Sequence, residues 1–424
     1  MNRPAGRESY DVVVVGAGAG GAAAAIAAAR GGARTLLIER NAFMGGAATQ
    51  SQVLAYCGFF VFGDMPVRMV RGIGQEVLEE LALLGLFIEP WRARSGAWIV
   101  LLDVEATKLA FDRLLTRSQV DLLLHTQLVD ARRSGDRLEA VVVADYRGLR
   151  EIEARCFVDA SGHACLSSFA GVPLSQDGSP GQFRQPASLP IRIGGVPEGV
   201  EVDRERLARL VQAHNLTGKP RITREDGGAM FRLPLTGDYW TMAVDLDTDG
   251  VSGPDLARAE TQAREMAWHY VQVLRQHPGF ERATLLASGP QLGIRESRRP
   301  RSRRDVTEAD ALAGRRDVTG IARAAWPMEM HEAPGRAKWV ALGGDGFFDV
   351  PHDAIVAEGL SNLRLAGRVI GADTRAYASV RVMGTAFATG QAAGVSAAFT
   401  ADGDGGQGLA QRVRRELDRQ GALV

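Results

Sequence analysis

The hydrophobic pattern changes period several times within the first forty residues. Tyr10 to Val15 is a continuous run rich in β-branched residues, which predicts a strand buried on both faces. Gly16 to Gly21 follows as a turn, and Ala22 to Arg30 reads as a helix of small residues brought to an end by Gly31 and Gly32. A second short apolar run, Thr35 to Glu39, predicts another buried strand. Strand, helix and strand in this order form a βαβ unit, so a parallel sheet begins here.

Helical spacing returns at Arg71 to Leu86, where Ile73, Val77, Leu78, Leu81 and Leu84 share a face. It returns again after Asp103, a capping residue followed by Leu109, Ala110 and Leu114. Val120 to His125 predicts a strand, Arg137 to Tyr146 and Leu149 to Ala154 a hairpin around Arg147-Gly148, and Cys156 to Ser161 a separate buried strand ending at Gly162. From Gly171 to Gly199 the composition shifts to Pro, Gly, Ser and Gln, which marks a crossing into a second domain. That domain is expected to hold helices near Arg204 to His214 and Asp255 to Arg275, with Tyr239 to Leu246 as a strand covering an active site. Near Trp339 to Gly344 the chain returns to the first domain, and Asn362 to Ala366 leads through Gly367 to a helix containing Gly384 to Ala398. The fold class expected is α/β. A Rossmann-like domain with a parallel central sheet spans 1–175 and 340–424, with a helical insertion at 51–100, and an inserted α+β substrate or cap domain spans 176–339.

Composition narrows the functional classes. Fifty basic residues balance fifty acidic ones, so no global field gathers nucleic acid or an anionic membrane, and the default partner is a small molecule. Cys57, Cys156 and Cys165 are odd in number and include no C-x-x-C pair, which argues against a disulfide framework, a metal site or a dithiol centre and for a reducing cytoplasm. The opening MNRPAGRESYD contains no apolar leader, and the longest apolar stretch, Val12 to Ala29, is short for a membrane span and largely Gly and Ala. Homo-oligomer formation is left open.

The chemistry-bearing motif lies in the first turn. Gly16, Gly18 and Gly21 make G-x-G-x-x-G directly after a strand and at the opening of a helix, with Gly20 inside the motif. Gly16 permits the tight turn, Gly18 lets a diphosphate approach the backbone, and Gly21 lets helix and strand pack closely. Glu39, at the end of the second strand, is placed to accept hydrogen bonds from ribose hydroxyls and disfavours a 2′-phosphate. Arg40 and a second glycine turn, Gly45-Gly46-Ala47-Ala48-Thr49, come just past the acid, as a longer cofactor with a ribityl arm requires. FAD is therefore the cofactor expected, which makes the Rossmann-like unit an FAD-binding domain, and NAD is the alternative.

These motifs, with Phe157-Val158-Asp159-Ala160-Ser161-Gly162, Leu292 to Arg299, Leu365-Ala366-Gly367-Arg368 and Ser379 to Met383, resemble the FAD-dependent oxidoreductases of the glutathione-reductase-like superfamily. Within it the likeness is to a bacterial family related to fumarate reductase flavoproteins. The resemblance implies that Leu128 meets the adenine, that Gly162 borders the diphosphate and that Gly367 and Arg368 lie beside the ribityl chain. It also implies that the helix beginning near Val382 and Met383 aims N–H groups at the flavin N1 and O2 edge. Gly367 and Arg368 sit where related flavoproteins have Ala-Gly-Glu, and two departures stand out: His163 stands where relatives often carry Asp after the glycine, and His352, after Asp349-Val350-Pro351, lies in a segment that often has an aromatic, which bears on substrate choice. Gly-Asp before the last helix, as in aromatic hydroxylases, and the Trp-x-Trp-x-Ile-Pro of halogenases are both missing, which demotes those subclasses.

Candidates for the reaction itself are Arg295 and Arg298 for anion contact, His331 and His352 as acid or base, and Arg381 with Tyr377 along the flavin face. Each arginine also reads as an internal ion-pair member and each histidine as a structural one. Cys57 reads as inert packing or as a covalent flavin attachment. The function expected is hydride transfer between a small organic substrate and flavin N5 by a dehydrogenase, oxidase or ene-reductase that exchanges electrons with an external donor or acceptor. The rivals are a non-catalytic FAD-fold binding module and an NAD-dependent dehydrogenase.

Overall fold

Val12 to Val15 pairs in parallel with Thr35 to Ile38 on one side and with Cys156 to Asp159 on the other. This register, in a computed structural model describing residues 8–87, 89–176 and 181–424, sets the rest of the architecture. Residues 1–7, read above as lacking an apolar leader, and 177–180 of the composition shift lie outside the described residues.

The central sheet has seven strands. Asp121–Leu123, Thr35–Ile38, Glu8–Val15, Gly148–Asp159 and Leu363–Leu365 run parallel, and Arg137–Asp145 and Gln127–Ser134 extend the sheet antiparallel. Gly148 to Asp159 is one long strand rather than the hairpin arm and separate strand expected from the sequence. Its first half pairs with the hairpin at Ala140 to Asp145 and its second half with Leu363 to Leu365, so one strand serves two neighbours in succession. Val15, Ile38, Asp159 and Leu365 end at one level, which places Gly16, Glu39, Ala160 and Ala366 along a single edge of the sheet.

Two helices of small residues press against this sheet. Ala19–Arg30 is buried from Ala19 to Ala28, and Met383–Ala401 is buried along nearly its whole length. The first begins three residues before the expected Ala22, since the second half of the glycine motif is already helical. The two helices run in the same direction: a β-carbon on Gly390 would stand 2.1 Å from the Gly20 carbonyl oxygen, and one on Gly394 the same distance from that of Ala24. Met383 lies seven residues before Gly390 and Ala19 one before Gly20. The second helix therefore starts about 9 Å upstream of the first, measured against their shared direction at roughly 1.5 Å per residue. Both N-termini point at the sheet edge just described.

The 51–100 segment carries one helix, Ile73–Leu83, together with a three-stranded sheet of Ala55–Tyr56, Trp91–Arg92 and Trp98–Leu101. It is thus less helical than expected, because Trp98-Ile99-Val100-Leu101 is an aromatic and β-branched run that favours strand. A second apolar core extends from Ala187 to Ile294. It lies beneath a four-stranded antiparallel sheet of Ala229–Arg232, Tyr239–Leu246, Ala187–Gly194 and Thr284–Ser288, with Arg204–Thr217 and Gly253–Leu274 packed on it. From Val306 onward most buried apolar residues belong again to the first core, while Trp326 and Val382 join a small cluster with Ala55, Ala97 and Ile99. Among the described residues no helix is long and apolar enough to cross a membrane.

Candidate active site

A cleft runs along the sheet edge, lined by Gly16, Gly18 and Glu39 toward one end and by His331, Arg381 and Val382 toward the other. Its floor is made of residues that cannot be larger. Gly16 sits at φ 97°, where a β-carbon would meet the Ala160 carbonyl oxygen at 2.5 Å; one on Gly46 would reach 2.8 Å from the Gly18 Cα. Gly18 is the N-cap of the first helix and offers no side-chain cap, so the first-turn N–H groups of Ala19 and Gly20 face the cleft. That arrangement accepts an anion. The second turn is tied to the first by donation from Gly45 N to the Ala17 carbonyl, 2.9 Å.

Glu39 is buried beside this cradle. One of its oxygens accepts from Ala17 N at 2.8 Å and the other from Asn41 N and Nδ2 at 2.9 and 2.7 Å, so the carboxylate is oriented before any ligand arrives. Leu128 is not in the main cleft but lines a small cavity next to Glu39, Arg40 and Thr126. Thr49 lies behind the second turn, its hydroxyl donating to the Met44 carbonyl at 2.6 Å.

Midway along the cleft one of the departures, His163, touches Arg368. The guanidinium of Arg368 donates through Nε to the Gly162 carbonyl at 2.6 Å, to the Ile294 carbonyl, and to His163 Nε2 at 3.2 Å. His163 Nδ1 in turn lies 3.0 Å from Ser297 Oγ, which fixes the neutral tautomer carrying its proton there. Burial, then the charges of Arg368, Arg40 and Arg298, hold the His163 pKa well below the usual histidine value. No carboxylate pairs with Arg368 or Arg40 among the described residues.

At the far end, the strand Met328–Ala333 sends Glu329 and His331 to the same face, since positions two apart on a strand point alike. His331 Nε2 lies 3.3 Å from Glu329 Oε1, and Glu329 Oε2 accepts from Trp326 Nε1 at 3.0 Å. The backbone N–H of His331 donates to Gln185 Oε1 at 3.2 Å, whereas its Nδ1 is buried with no partner. Burial pushes the imidazole pKa down to about 4, with Arg295 next in size and the Glu329 carboxylate opposing. For Glu329 the His331 and Arg381 neighbours outweigh burial and bring its pKa to about 2. At neutral pH this is a carboxylate beside a neutral imidazole.

The same wall holds Arg295, whose guanidinium donates to the Pro186 carbonyl at 2.6 Å and lies 3.6 Å from buried Asp245, and Arg381, which donates to the Glu329 carbonyl at 3.2 Å. Tyr377 donates to the Arg295 carbonyl at 2.8 Å and so supports this wall from behind. Cys57 faces the cleft, but burial raises its thiol pKa and keeps it protonated. Its carbonyl accepts from Gly384 N at 2.8 Å, which uses one first-turn N–H of the helix that begins at Met383.

Two residues expected to take part in the reaction are elsewhere. His352 is buried behind the last long helix, its Nε2 2.9 Å from Ser396 Oγ, because the turn His352–Ile355 folds back toward that helix. Arg298 turns away from the main cleft and donates to the His163 carbonyl and to Ser168 Oγ, each at 2.9 Å. Glu329, Asp245, Trp326 and Asn41 were not singled out from the sequence. Glu329 was legible in principle, two positions before a named histidine in a segment of strand spacing.

No curated protein matches the chain. Similar solved structures include a geranylgeranyl bacteriochlorophyll reductase-like protein from Thermoplasma acidophilum (13% identity, 98% of this chain and 84% of that one, TM-score 0.47). They also include BexE, from a study of oxidation during BE-7585A biosynthesis (14%, 97% and 66%, TM-score 0.50), and the myxobacterial chondrochloren halogenase CndH (16%, 97% and 79%, TM-score 0.48). At 14% identity the BexE likeness speaks to fold alone, and reaction type does not follow from it. The family described as FAD dependent oxidoreductase matches residues 11–414. Glycine cradle, oriented acid and paired helix N-termini fit that cofactor, and the chain belongs to the FAD dependent oxidoreductase family.

Proposed function

We propose that this flavoenzyme moves a hydride between a small organic substrate and the flavin, with His331 as the acid or base. The observation that carries the reading is the bare Nδ1 of His331, buried in the cleft and backed by an ionised Glu329. FAD, when bound, supplies the two-electron acceptor or donor at its ring N5. The first-turn N–H groups of Ala19 and Gly20 and the guanidinium of Arg368 would hold its diphosphate, Glu39 its ribose, and Val382 and Met383 would border the ring.

The protein's own part is to position and to move a proton. With its Nε2 proton turned to Glu329, His331 presents a lone pair at Nδ1 that takes a proton from a substrate O–H, N–H or C–H, or returns one in the reverse direction. Glu329 stabilises the imidazolium as it forms and holds the ring in place, while Trp326 holds Glu329. Ser188 and Met242, from the antiparallel sheet, close the cleft over the reacting end and limit water. Membership of a flavin-dependent family sets aside the NAD-dependent and non-catalytic readings. Kinship with fumarate reductase flavoproteins remains part of this proposal and rests on the motifs alone.

The test is anaerobic bleaching of the bound flavin by a panel of amines, alcohols, carboxylates and enoates. At least one compound should reduce the wild type, and His331→Asn should bind FAD normally while bleaching far more slowly. A variant that bleaches at the wild-type rate would remove His331 from the mechanism.

A further inference from the structure

Arg295, Glu329 and Arg381 line the reacting end of the cleft, Asp245 and Arg224 connect to Arg295 from outside its lining, and of the three arginines only Arg381 has no carboxylate partner among the described residues. Arg295 has the Pro186 carbonyl and Asp245. Asp245 accepts from Ser188 Oγ, from Gly335 N at 3.1 Å and from Arg224 at 3.4 Å. Arg224 has Asp245 and Asp226. Both oxygens of Glu329 are taken, by Trp326 and by His331. Arg381 differs. Its one hydrogen bond is to a backbone carbonyl, its Nε is buried without an acceptor, and no carboxylate pairs with it among the described residues.

The ion pairs point the same way. Arg224 is shared by Asp226 and Asp245, and Arg295 pairs with Asp245, while the Glu329 carboxylate is taken by Trp326 and His331. Of the three guanidinium groups only Arg381 has no carboxylate within ion-pair distance among the described residues, and its Nε is left without an acceptor. A buried donor without an acceptor is costly, and a planar guanidinium edge meets a carboxylate with two parallel hydrogen bonds. A cationic ligand would meet an uncompensated arginine, and a neutral one would leave that arginine unpaired. We infer that the reacting end of the cleft takes a substrate bearing a carboxylate, which the guanidinium edge of Arg381 receives beside His331 Nδ1.

This inference rests on the reading of the cleft as the substrate site of a flavoenzyme, and the experiment separates the two. Acetate, butyrate and benzoate, each against its amide, are titrated into the FAD-loaded protein while the flavin absorption band is followed. The carboxylates should perturb the band and saturate; the amides should bind at least tenfold more weakly. Arg381→Met should erase this preference, and Arg381→Lys should restore part of it. Equal binding of acid and amide by the wild type overturns the inference without any variant. So does an Arg381→Met protein that shifts the flavin midpoint potential but keeps the wild-type affinity for benzoate, since Arg381 would then serve the ring and not the substrate. A protein bleached only by neutral compounds, with no carboxylate binding, overturns the inference and leaves the flavoenzyme reading intact. One that takes up no FAD overturns both.

Discussion

Gly390 meets Gly20 so closely that no side chain fits between them: a β-carbon on Gly390 would stand 2.1 Å from the Gly20 carbonyl oxygen. Gly20 is also the residue whose own β-carbon would strike Gly367 N at 2.7 Å, so one contact ties together both helices and the Ala366–Gly367 turn. Substituting Gly390→Ala therefore has to part the helices. It should cost about 1–3 kcal/mol by overpacking, seen as a lower unfolding midpoint, and should also lower the flavin content, because the first helix carries the anion-binding N–H groups. A stable variant with full flavin content would break this link.

His331→Asn is expected to slow substrate-dependent flavin bleaching by about 10²- to 10⁴-fold, the range for loss of a general acid or base. Glu329→Gln should slow it less, since the imidazole stays in place without its counter-charge. Because the imidazole pKa lies at about 4 in the fold, the wild-type rate should not fall with acid until well below the usual histidine range. A pH–rate profile with a limb near 6.5, the ordinary value, would contradict the buried environment described for His331.

Stability should depend on pH through the same groups. The folded pKa values of His331 and His163 are both depressed below the unfolded value, so the unfolded chain takes up protons first as pH falls. Their contribution is fully present above about pH 6.5 and is lost as pH falls, that of His331 as pH drops toward about 4. Glu329, brought from its ordinary value to about 2, extends the loss to more acid conditions. Urea unfolding of the apoprotein at about pH 7.5 and about pH 5 should show weaker stability at the lower pH. His331→Asn should flatten the difference by an amount on the order of 1–3 kcal/mol. An unchanged difference would argue that the His331 ring is not buried in solution.

Cofactor affinity should divide along the cleft. Arg368→Gln should weaken FAD and ADP alike, about tenfold or more, and leave riboflavin unaffected, because the loss is of a cation facing phosphate. Glu39→Ala should weaken FAD and adenosine, since it removes both the ribose acceptor and the carboxylate that anchors Ala17 N. Fluorescence titration of the apoprotein reads each case. Equal loss of riboflavin affinity in Arg368→Gln would place that guanidinium elsewhere along the cofactor.

Some of this was legible in the residues and some was not. The turn from Gly16 to Gly21, the acid at Glu39 and the helix after Val382 were readable because each depends on neighbours a few positions away. The split pairing of Gly148–Asp159 was not, since no local signal says that a strand will change partners halfway. Nor was the contact between His163 and Arg368, which are 205 positions apart. Choosing between His331 and His352 was equally out of reach: both are lone histidines followed directly by an acid, and only packing sends one to the cleft and the other behind the last helix.

By itself the sequence determined the nucleotide cradle, the FAD preference and the α/β class, because short-range periodicity and glycine stereochemistry encode strand, turn and helix directly. Tertiary structure alone decided which charges are left without a partner. Whether Arg295, Arg298, Arg368 or Arg381 is neutralised depends on side chains brought near from distant parts of the chain, and burial then makes each unpaired charge count.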